Sequence, residues 1–199
     1  MTLEKYYVSD FTNEMYLSWI SVLPEEKQRQ IQSKRNEKNR FRSVIGYMLA
    51  VKIISQNYGI KKSEIEFFFD DNGKPFVKNA GIFISISHSD NLVICAVSDK
   101  NIGVDIEKIR KVNFRTAKRF CTEKEKMYIF GKMPDENSLN NVSDDTLIRL
   151  FEIWTKKEAY GKMLGKGILY DMKNTDVSFV ETQKFGDYII SVCEGGYKM

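Results

Sequence analysis

The sequence predicts an α+β protein built from two halves, residues 1–98 and residues 99–199. Three observations support this fold class. Apolar residues recur at helical spacing early in the chain, and short strand-like runs replace them before residue 100. A polar break at residues 98–101 then precedes a second stretch of strands and helices. Because the connections between the strands are short, we expect antiparallel sheets.

The first half is predicted to begin with helices and end with strands. Two consecutive helices are expected over residues 25–58, and one face of the second carries Ile45, Met48, Leu49 and Ile53. The expected strands cover residues 65–69, 83–87 and 92–97. The Asp-Asp-Asn-Gly run at residues 70–73 is typical of a turn.

The second half is predicted to alternate strands and helices. The expected strands cover residues 102–107, 177–180 and 188–192, and the expected helices cover residues 114–120, 123–130 and about 146–164. Thr122 and Glu125 have the spacing of a capping box for the second of these helices. Residues 132–145 are polar and are expected to form a loop, and Gly165 and Gly167 are expected to end the last helix.

Composition narrows the class of protein and the kind of metal site. In the 199 residues, 42% are hydrophobic, enough for a substantial core, and no apolar run suits a signal peptide or a membrane span, so we expect a cytoplasmic protein. The three cysteines form no CxxC pair, and Cys95 and Cys193 lie in apolar runs typical of a core. Since His88 is the only histidine, a metal would need mainly oxygen ligands, which favours magnesium.

Basic residues are dense near the amino terminus although the net charge is only +4. Seven of them face a single acidic residue, Glu37: Lys27, Arg29, Lys34, Arg35, Lys38, Arg40 and Arg42. Such a segment is compatible with a nucleic acid, a phosphorylated ligand or an acidic protein as partner, or with a solvated helix face.

Two carboxylates stand out in the strand predicted over residues 102–107. Asp105 and Glu107 are two residues apart, so their side chains should emerge on the same face. Burying both without a partner would cost several kcal/mol each, by order of magnitude, which a hard cation would offset. A wet polar face with ordinary salt bridges is the alternative interpretation.

The last long helix and the only histidine supply further candidates. Glu158 and Lys162 lie one helical turn apart and form either a catalytic pair or an ordinary exposed ion pair, while Trp154 is typical of a core anchor. His88, flanked by Ser87 and Ser89, could donate a hydrogen bond to a phosphate or serve a structural role. No GxSxG elbow, GxxxxGK[ST] loop or GxGxxG motif occurs, so those routes to hydrolysis or nucleotide binding are not supported.

Taken in order, five motifs resemble the surfactin-synthetase-activating type of 4′-phosphopantetheinyl transferase. They are Phe41-Arg42-Ser43 with Gly46, Gly73-Lys74-Pro75, Ile86-Ser87-His88-Ser89, Gly103-Val104-Asp105-Ile106-Glu107, and Trp154-Thr155-Lys156-Lys157-Glu158-Ala159 continuing to Lys162 and Gly165-Lys166-Gly167. The resemblance spans residues 24–168. It implies two similar α+β halves related by a pseudo-twofold, with coenzyme A bound in the cleft between them.

The resemblance also implies an activity and roles for particular residues. The 4′-phosphopantetheine of coenzyme A would pass to a serine of an acyl or peptidyl carrier protein. Asp105, Glu107 and Glu158 would hold Mg²⁺, Glu158 would help to deprotonate the serine, and Lys162 would assist the leaving group. The implied nucleotide and 3′-phosphate contacts are Lys27, Arg42, Ser43, Lys74, Ser87 and His88, and the implied diphosphate contacts are Lys157 and Lys162.

Some expectations depart from the family's pattern or go beyond it. Gln30 stands where relatives often carry a second lysine, which puts one contact to the 3′-phosphate in doubt. The sequence ends at Met199, soon after the last predicted strand, so a carboxy-terminal extension found in longer relatives is expected to be missing. We expect a monomer whose carrier partner presents an acidic recognition helix.

Two other functions are compatible with parts of the sequence. A magnesium-dependent nucleotide phosphohydrolase would use the same carboxylates without a protein acceptor. A noncatalytic module would bind nucleic acid through the basic segment, although Phe67, Phe68 and Phe69 are consecutive and do not alternate with basic residues as in a stacking platform. We therefore expect no nucleic-acid partner and no membrane association.

Overall fold

The computed structural model describes residues 1–70, 72–77, 81–112, 120–131, 142–166 and 171–195. The helices are α1 (Asn13–Ile20), α2 (Glu25–Gln32), α3 (Glu37–Asn57), α4 (Glu123–Phe130) and α5 (Asp144–Leu164). The strands are β1 (Thr2–Tyr7), β2 (Phe67–Phe69), β3 (Pro75–Val77), β4 (Phe83–Ser89), β5 (Leu92–Ser98), β6 (Asn101–Lys108), β7 (Glu181–Phe185) and β8 (Tyr188–Gly195).

The first sheet has the strand order β1-β5-β4-β3-β2, and every pairing in it is antiparallel. Helix α3 lies against this sheet, and its buried apolar residues join those of β4 and β5 in one core. The close approach depends on Gly46, because a Cβ at this position would lie 2.6 Å from Cγ2 of Ile86. The helix therefore packs directly on the strand that carries His88.

The second sheet has the order β6-β8-β7, again antiparallel, with Asp105 opposite Ser191. Helix α5 packs on it, and Gly103 of β6 makes this possible. A Cβ at Gly103 would lie 1.9 Å from the carbonyl oxygen of Ala159 and 2.3 Å from the amide nitrogen of Met163. Since no side chain fits there, Gly103 sets how near the helix comes to the carboxylate-bearing strand.

The helix ends confirm several sequence expectations. Thr122 and Glu125 form the expected capping box at the start of α4. Gly165 ends α5 in the left-handed conformation, with φ of 66°. Helix α5 begins two residues before the expected start, at Asp144, because the hydroxyl of Ser143 accepts a hydrogen bond from the amide of Thr146.

The α+β class, the antiparallel sheets and the two helices over residues 25–58 are confirmed. The strand predicted over residues 177–180 is wrong. Val177 and Val180 are buried, but a hydrogen bond from the amide of Val180 to the carbonyl of Val177 closes a turn, and β7 starts only at residue 181. Four elements were not predicted: β1, α1, β3 and β7.

Other expectations concern residues that the structure does not describe. Outside the described residues lie Asp71, Gly167, the predicted helix up to residue 119 and the predicted loop over residues 132–141.

Cys95 and Cys193 are buried as predicted, and Cys121 is buried too. None of the helices in the described ranges is long and apolar enough to cross a membrane. The pseudo-twofold relation between halves stays a prediction.

Candidate active site

A ladder of serine hydroxyls joins β4 of the first sheet to β6 of the second. The hydroxyl of Ser85 accepts from the amide of Val104 at 2.9 Å, that of Ser87 from Ile106 at 3.4 Å, and that of Ser89 from Lys108 at 3.1 Å. These bonds satisfy backbone donors on the edge of β6 that does not pair with β8. The two sheets thus meet along a seam of fixed register.

Two serines of this seam also orient the carboxylates that the sequence singled out. Ser87 donates to Oδ1 of Asp105 at 2.8 Å, and Ser89 donates to Oε2 of Glu107 at 2.9 Å. Asp105 is 6% exposed, whereas Glu107 is half-buried. As predicted from their spacing, both carboxylates lie on the face of β6 that looks toward β4.

Helix α5 brings Lys162 to this pair of strands. Its ammonium donates to Oδ1 of Asp105 at 2.7 Å and to the hydroxyl of Ser87 at 2.8 Å. The ion pair that Lys162 forms within the described ranges is therefore with Asp105 and not with Glu158, one turn earlier on the same helix. The exposed Glu-to-Lys pair that helical spacing alone suggests is replaced by a contact across the seam.

The carboxylates influence each other's protonation. Burial raises the pKa of Asp105, and the Lys162 ammonium and the Ser87 hydroxyl offset part of this effect. Burial also raises the pKa of Glu158, and the negative charges of Asp105 and Glu107 add to it. The three carboxylates predicted to act together, Asp105, Glu107 and Glu158, are thus close enough to repel one another.

The arrangement leaves one acceptor without a donor. Oδ2 of Asp105 is buried and has no hydrogen-bond partner among the described residues. Although the described residues contain no preformed cluster of three metal ligands, this free oxygen and the mutual repulsion suit a hard cation with oxygen ligands. Arg110 meets Oε2 of Glu107 at 2.8 Å, so cationic side chains contact two of the three carboxylates.

A cluster of positive charge lies beside the carboxylates. The ammonium of Lys34 donates to the hydroxyl of Ser43 at 2.6 Å. Arg42 donates to the side-chain oxygen of Asn39 at 2.9 Å and to the carbonyl of Asp90, and its buried Nε has no partner among the described residues. A donor left free among positive charges suits an anion.

His88 lies where the cation cluster and the carboxylates meet. Loss of hydration around its ring, and then the positive charges of Arg42, Lys162 and Lys34, lower its pKa to about 4. The imidazole is therefore neutral at pH 7. Its place among three cations agrees with a phosphate-binding role better than with an isolated structural one.

Lys27 occupies the outer part of the same region. Its ammonium lies 4.3 Å from the ring centroid of Phe69 and lines a cavity of about 500 Å³ with Gln30 and the three phenylalanines of β2. Burial and the positive charge of Lys34 both lower its pKa. Cation and aromatic groups are thus available to a flat, charged ligand.

Lys74, for which a contact with the nucleotide is predicted, lies at the carboxyl end of α5. Its ammonium donates to the side-chain oxygen of Asn101 at 2.7 Å and to the carbonyl of Met163 at 3.0 Å. Next to it, the side-chain amide of Asn72 donates to the carbonyl of Gly165 at 2.7 Å. The turn between β2 and β3 therefore caps the carboxyl end of α5, and burial lowers the pKa of Lys74 to about 8.

Lys157, for which a contact with the diphosphate is predicted, lies on the side of α5 that faces α4. Its side chain is 0% exposed and its ammonium lies 3.0 Å from Oε1 of Glu125. It also donates to the carbonyls of Met172 and Thr175. Because helical neighbours point about 100° apart, Lys157 faces α4 while Glu158 faces the seam.

The sequence interpretation missed several contributors to the site. Ser85 and Ser89 alternate with Ser87 on one face of β4, and this period of two was visible in the sequence. Arg110 lies two residues past the end of the carboxylate strand, a position that gave no signal by itself. Lys34 was one of seven basic residues, and only the structure distinguishes it from its neighbours.

Comparisons with known proteins agree with this geometry. A family model described as the 4′-phosphopantetheinyl transferase superfamily matches residues 101–193, and one described as the amino-terminal part of a 4′-phosphopantetheinyl transferase matches residues 10–100. The border between the two matches falls between β5 and β6.

Curated relatives carry the same description. The transferase gsp of Aneurinibacillus migulanus is 36% identical over 82% of this chain and 65% of its own length. The transferase Sfp of Bacillus subtilis strain 168 is 32% identical over 81% of this chain and 67% of its own length. HetI of Nostoc is 31% identical over 65% of this chain, which covers 54% of that relative. The aligned part of this chain thus spans about two thirds of the first two relatives.

The two family models together match nearly the whole of the chain, residues 10–193. Since Sfp is 32% identical and is covered over 67% of its length, this chain belongs to the 4′-phosphopantetheinyl transferase superfamily.

Proposed function

We propose that this chain transfers the 4′-phosphopantetheine of coenzyme A to a serine hydroxyl of an acyl or peptidyl carrier domain. The products would be the holo carrier and adenosine 3′,5′-bisphosphate. The observation that carries the proposal is the pair of buried side-chain atoms without partners in the described residues, Nε of Arg42 and Oδ2 of Asp105. One needs an anion and the other a donor or a cation, and both lie near the end of β4.

Coenzyme A has phosphate groups that could serve both the buried Nε of Arg42 and the buried Oδ2 of Asp105. Its 3′-phosphate suits the cations Lys27 and Arg42, with the neutral imidazole of His88 and the hydroxyl of Ser43 beside them. Its diphosphate suits the carboxylates if they carry a magnesium ion, which Asp105, Glu107 and Glu158 would hold. When bound, magnesium would neutralise charge on the diphosphate and favour attack at phosphorus. The oxygen-only donor set and the free oxygen of Asp105 support magnesium here.

The side chains at the seam suit a phosphoryl-type transfer. The carrier serine oxygen would bond to the phosphorus that bears pantetheine as the anhydride bond to adenosine 3′,5′-bisphosphate breaks. Glu158 would accept the serine proton, because it is a carboxylate placed close to Asp105 and Glu107 at the seam. Lys162 would neutralise the charge that develops on the departing bisphosphate, since its ammonium lies beside Asp105.

Ser87 would act mainly by holding this arrangement. Its hydroxyl contacts Asp105, Lys162 and the backbone of β6 at once. All three bonds fix the angle at which carboxylate and ammonium meet the ligand. The structure gives no comparable support for a contact between Lys74 or Lys157 and the ligand, because their ammonium groups bind protein oxygens elsewhere.

The wider setting of the enzyme is also a proposal. We infer a monomer in the cytoplasm in which residues 1–98 and 99–199 form two halves and each half supplies one cluster. The carrier would present an acidic helix to basic side chains at the edge of the site, among them the exposed Arg110. Neither nucleic acid nor a membrane is needed for this reaction.

The direct test is the intact mass of purified apo carrier domains after incubation with this chain, coenzyme A and Mg²⁺. We expect a gain of one phosphopantetheine, abolished by EDTA and absent from a carrier whose acceptor serine is alanine. Release of nucleotide fragments from coenzyme A without any gain in carrier mass would instead indicate a phosphohydrolase. A mass gain that survives EDTA would contradict the metal assignment.

A further inference from the structure

The cation cluster contains a lysine to which neither the sequence motifs nor the family resemblance assigns a role. Lys34 follows α2, where its amide donates to the carbonyl of Ile31 and its own carbonyl accepts from Arg40 at 3.0 Å. With the backbone tied on both sides, the side chain reaches α3 and meets the hydroxyl of Ser43 at 2.6 Å. This lysine is therefore held in place at the cluster.

The charge of Lys34 is not neutralised by its surroundings. Burial lowers its pKa, and no carboxylate in the described residues counters that effect. The hydroxyl of Ser43 donates its proton to the carbonyl of Asn39 and so offers Lys34 a lone pair and no negative charge. Two of the three ammonium protons remain available in the contacts given for the described residues.

Lys34 also acts on two other basic groups of the site. Its positive charge lowers the pKa of Lys27 and of His88. Cations that crowd together without a counter-ion repel each other, and an anion relieves this repulsion. Nε of Arg42, which has no hydrogen-bond partner among the described residues, would also be satisfied by an anion.

The neighbouring residue Gln30 provides no such charge. Its side-chain amide donates to Oε1 of Glu26 at 3.4 Å on the surface of α2. Lys34 lies just past the end of α2, and its charge acts on Lys27, which lines the same cavity as Gln30.

We propose that Lys34 supplies the cation that Gln30 lacks and binds the 3′-phosphate of coenzyme A. The inference rests on the proposed function and refines it, because the carboxylates and Lys162 are placed at the diphosphate, whereas Lys34 contacts Ser43, the residue next to Arg42. Lys34 is then a specificity-determining residue, since it distinguishes coenzyme A from dephospho-coenzyme A, which lacks only the 3′-phosphate.

The test compares KM and kcat for these two substrates in wild type and in Lys34→Met. The variant is expected to raise KM for coenzyme A roughly tenfold, the size of one lost charge-assisted hydrogen bond. The KM for dephospho-coenzyme A and both kcat values are expected to stay unchanged. Arg35→Met, which removes the same charge from the next residue, is the matched control and should change neither KM.

A rescue variant makes the test sharper. Gln30→Lys combined with Lys34→Met is expected to restore the KM for coenzyme A to within about threefold of wild type. Equal losses for both substrates in Lys34→Met, or the same loss in Arg35→Met, would overturn the inference.

Direct binding separates this inference from the proposed function. Calorimetry with adenosine 3′,5′-bisphosphate and with adenosine 5′-monophosphate needs no transfer activity. Lys34→Met is expected to weaken binding of the bisphosphate and not of the monophosphate, even if wild type modifies no carrier. Failure of wild type to prefer the bisphosphate would overturn the role of Lys34 whatever the outcome of the transfer assay.

Discussion

Two sides of helix α5 hold lysines in opposite circumstances. On the side toward α4, the Lys157 side chain is 0% exposed and is bound by Glu125 and two carbonyl oxygens. On the side toward the seam, the Lys162 side chain is 30% exposed and sits beside a buried carboxylate oxygen without a partner. A buried ammonium that is bound by a carboxylate and carbonyl oxygens stabilises the fold. An ammonium beside a carboxylate oxygen that lacks a hydrogen-bond partner is available to bind a ligand.

The largest expected effect is on the seam side. Asp105→Asn should lower the transfer rate by on the order of a hundredfold or more, because the bound metal contributes several kcal/mol to charge neutralisation. The melting temperature should not fall, since burial of the carboxylate without a partner for Oδ2 already costs stability. Rates by intact mass and melting by circular dichroism check both parts. A transfer rate near wild type would refute the role of Asp105.

A substitution on the side of α5 toward α4 should lower stability and leave coenzyme A binding unchanged. Lys157→Met leaves the half-buried carboxylate of Glu125 without its partner, a change worth about 3–5 kcal/mol. The melting temperature should drop by about 10 °C, while coenzyme A affinity of the folded fraction stays near wild type. In Glu125→Gln combined with Lys157→Met, part of the lost stability should return. A stable variant with a raised KM would instead place Lys157 at the ligand.

Substitution of Lys74 should also lower stability without affecting the ligand, but by less than substitution of Lys157. Lys74→Met removes two hydrogen bonds at the carboxyl end of α5 and should cost about 1–2 kcal/mol, or some 4 °C in melting temperature. The KM for coenzyme A should change by less than about threefold. Asn72→Ala, which removes the neighbouring bond to Gly165, should behave alike. A large rise in KM for Lys74→Met alone would restore its expected nucleotide contact.

A pH dependence of stability is expected at His88. An unfolded histidine takes up a proton as the pH falls below about 6.5, but the folded imidazole stays neutral down to about 4. Protonation thus favours the unfolded chain between these values, and stability is lost as the pH falls from 6.5 to 4. In His88→Asn the melting temperature should fall less steeply across this window. Parallel curves for both proteins would contradict the lowered pKa.

Sequence periodicity predicts which side chains share a face of a strand or helix, and this part of the site could be predicted. The period of two placed Asp105 and Glu107 on one face, and helical spacing placed Glu158 and Lys162 together, because both patterns describe local geometry. Which neighbour each face meets is decided by tertiary packing. Spacing therefore suggested a Glu158 to Lys162 pair, while the structure pairs Lys162 with Asp105 across the seam.

The fold shows the same limit. Strong apolar runs located β4, β5, β6 and β8, and the local chemistry of Thr122 and Gly165 located helix ends. Strand β7 is mostly exposed and polar, so its sequence gave little strand signal. Residues 177–180 gave a false one, because two buried valines three residues apart fit a turn as well as a strand.

The central claim is that the carboxylates and the cation cluster form one coenzyme A site. A crystal structure with coenzyme A and Mn²⁺, located by its anomalous scattering, tests this most directly. We predict the metal among Asp105, Glu107 and Glu158 at the diphosphate, with the 3′-phosphate in hydrogen-bond contact with Nε of Arg42. A metal bound elsewhere, or a 3′-phosphate far from Arg42, would contradict the account.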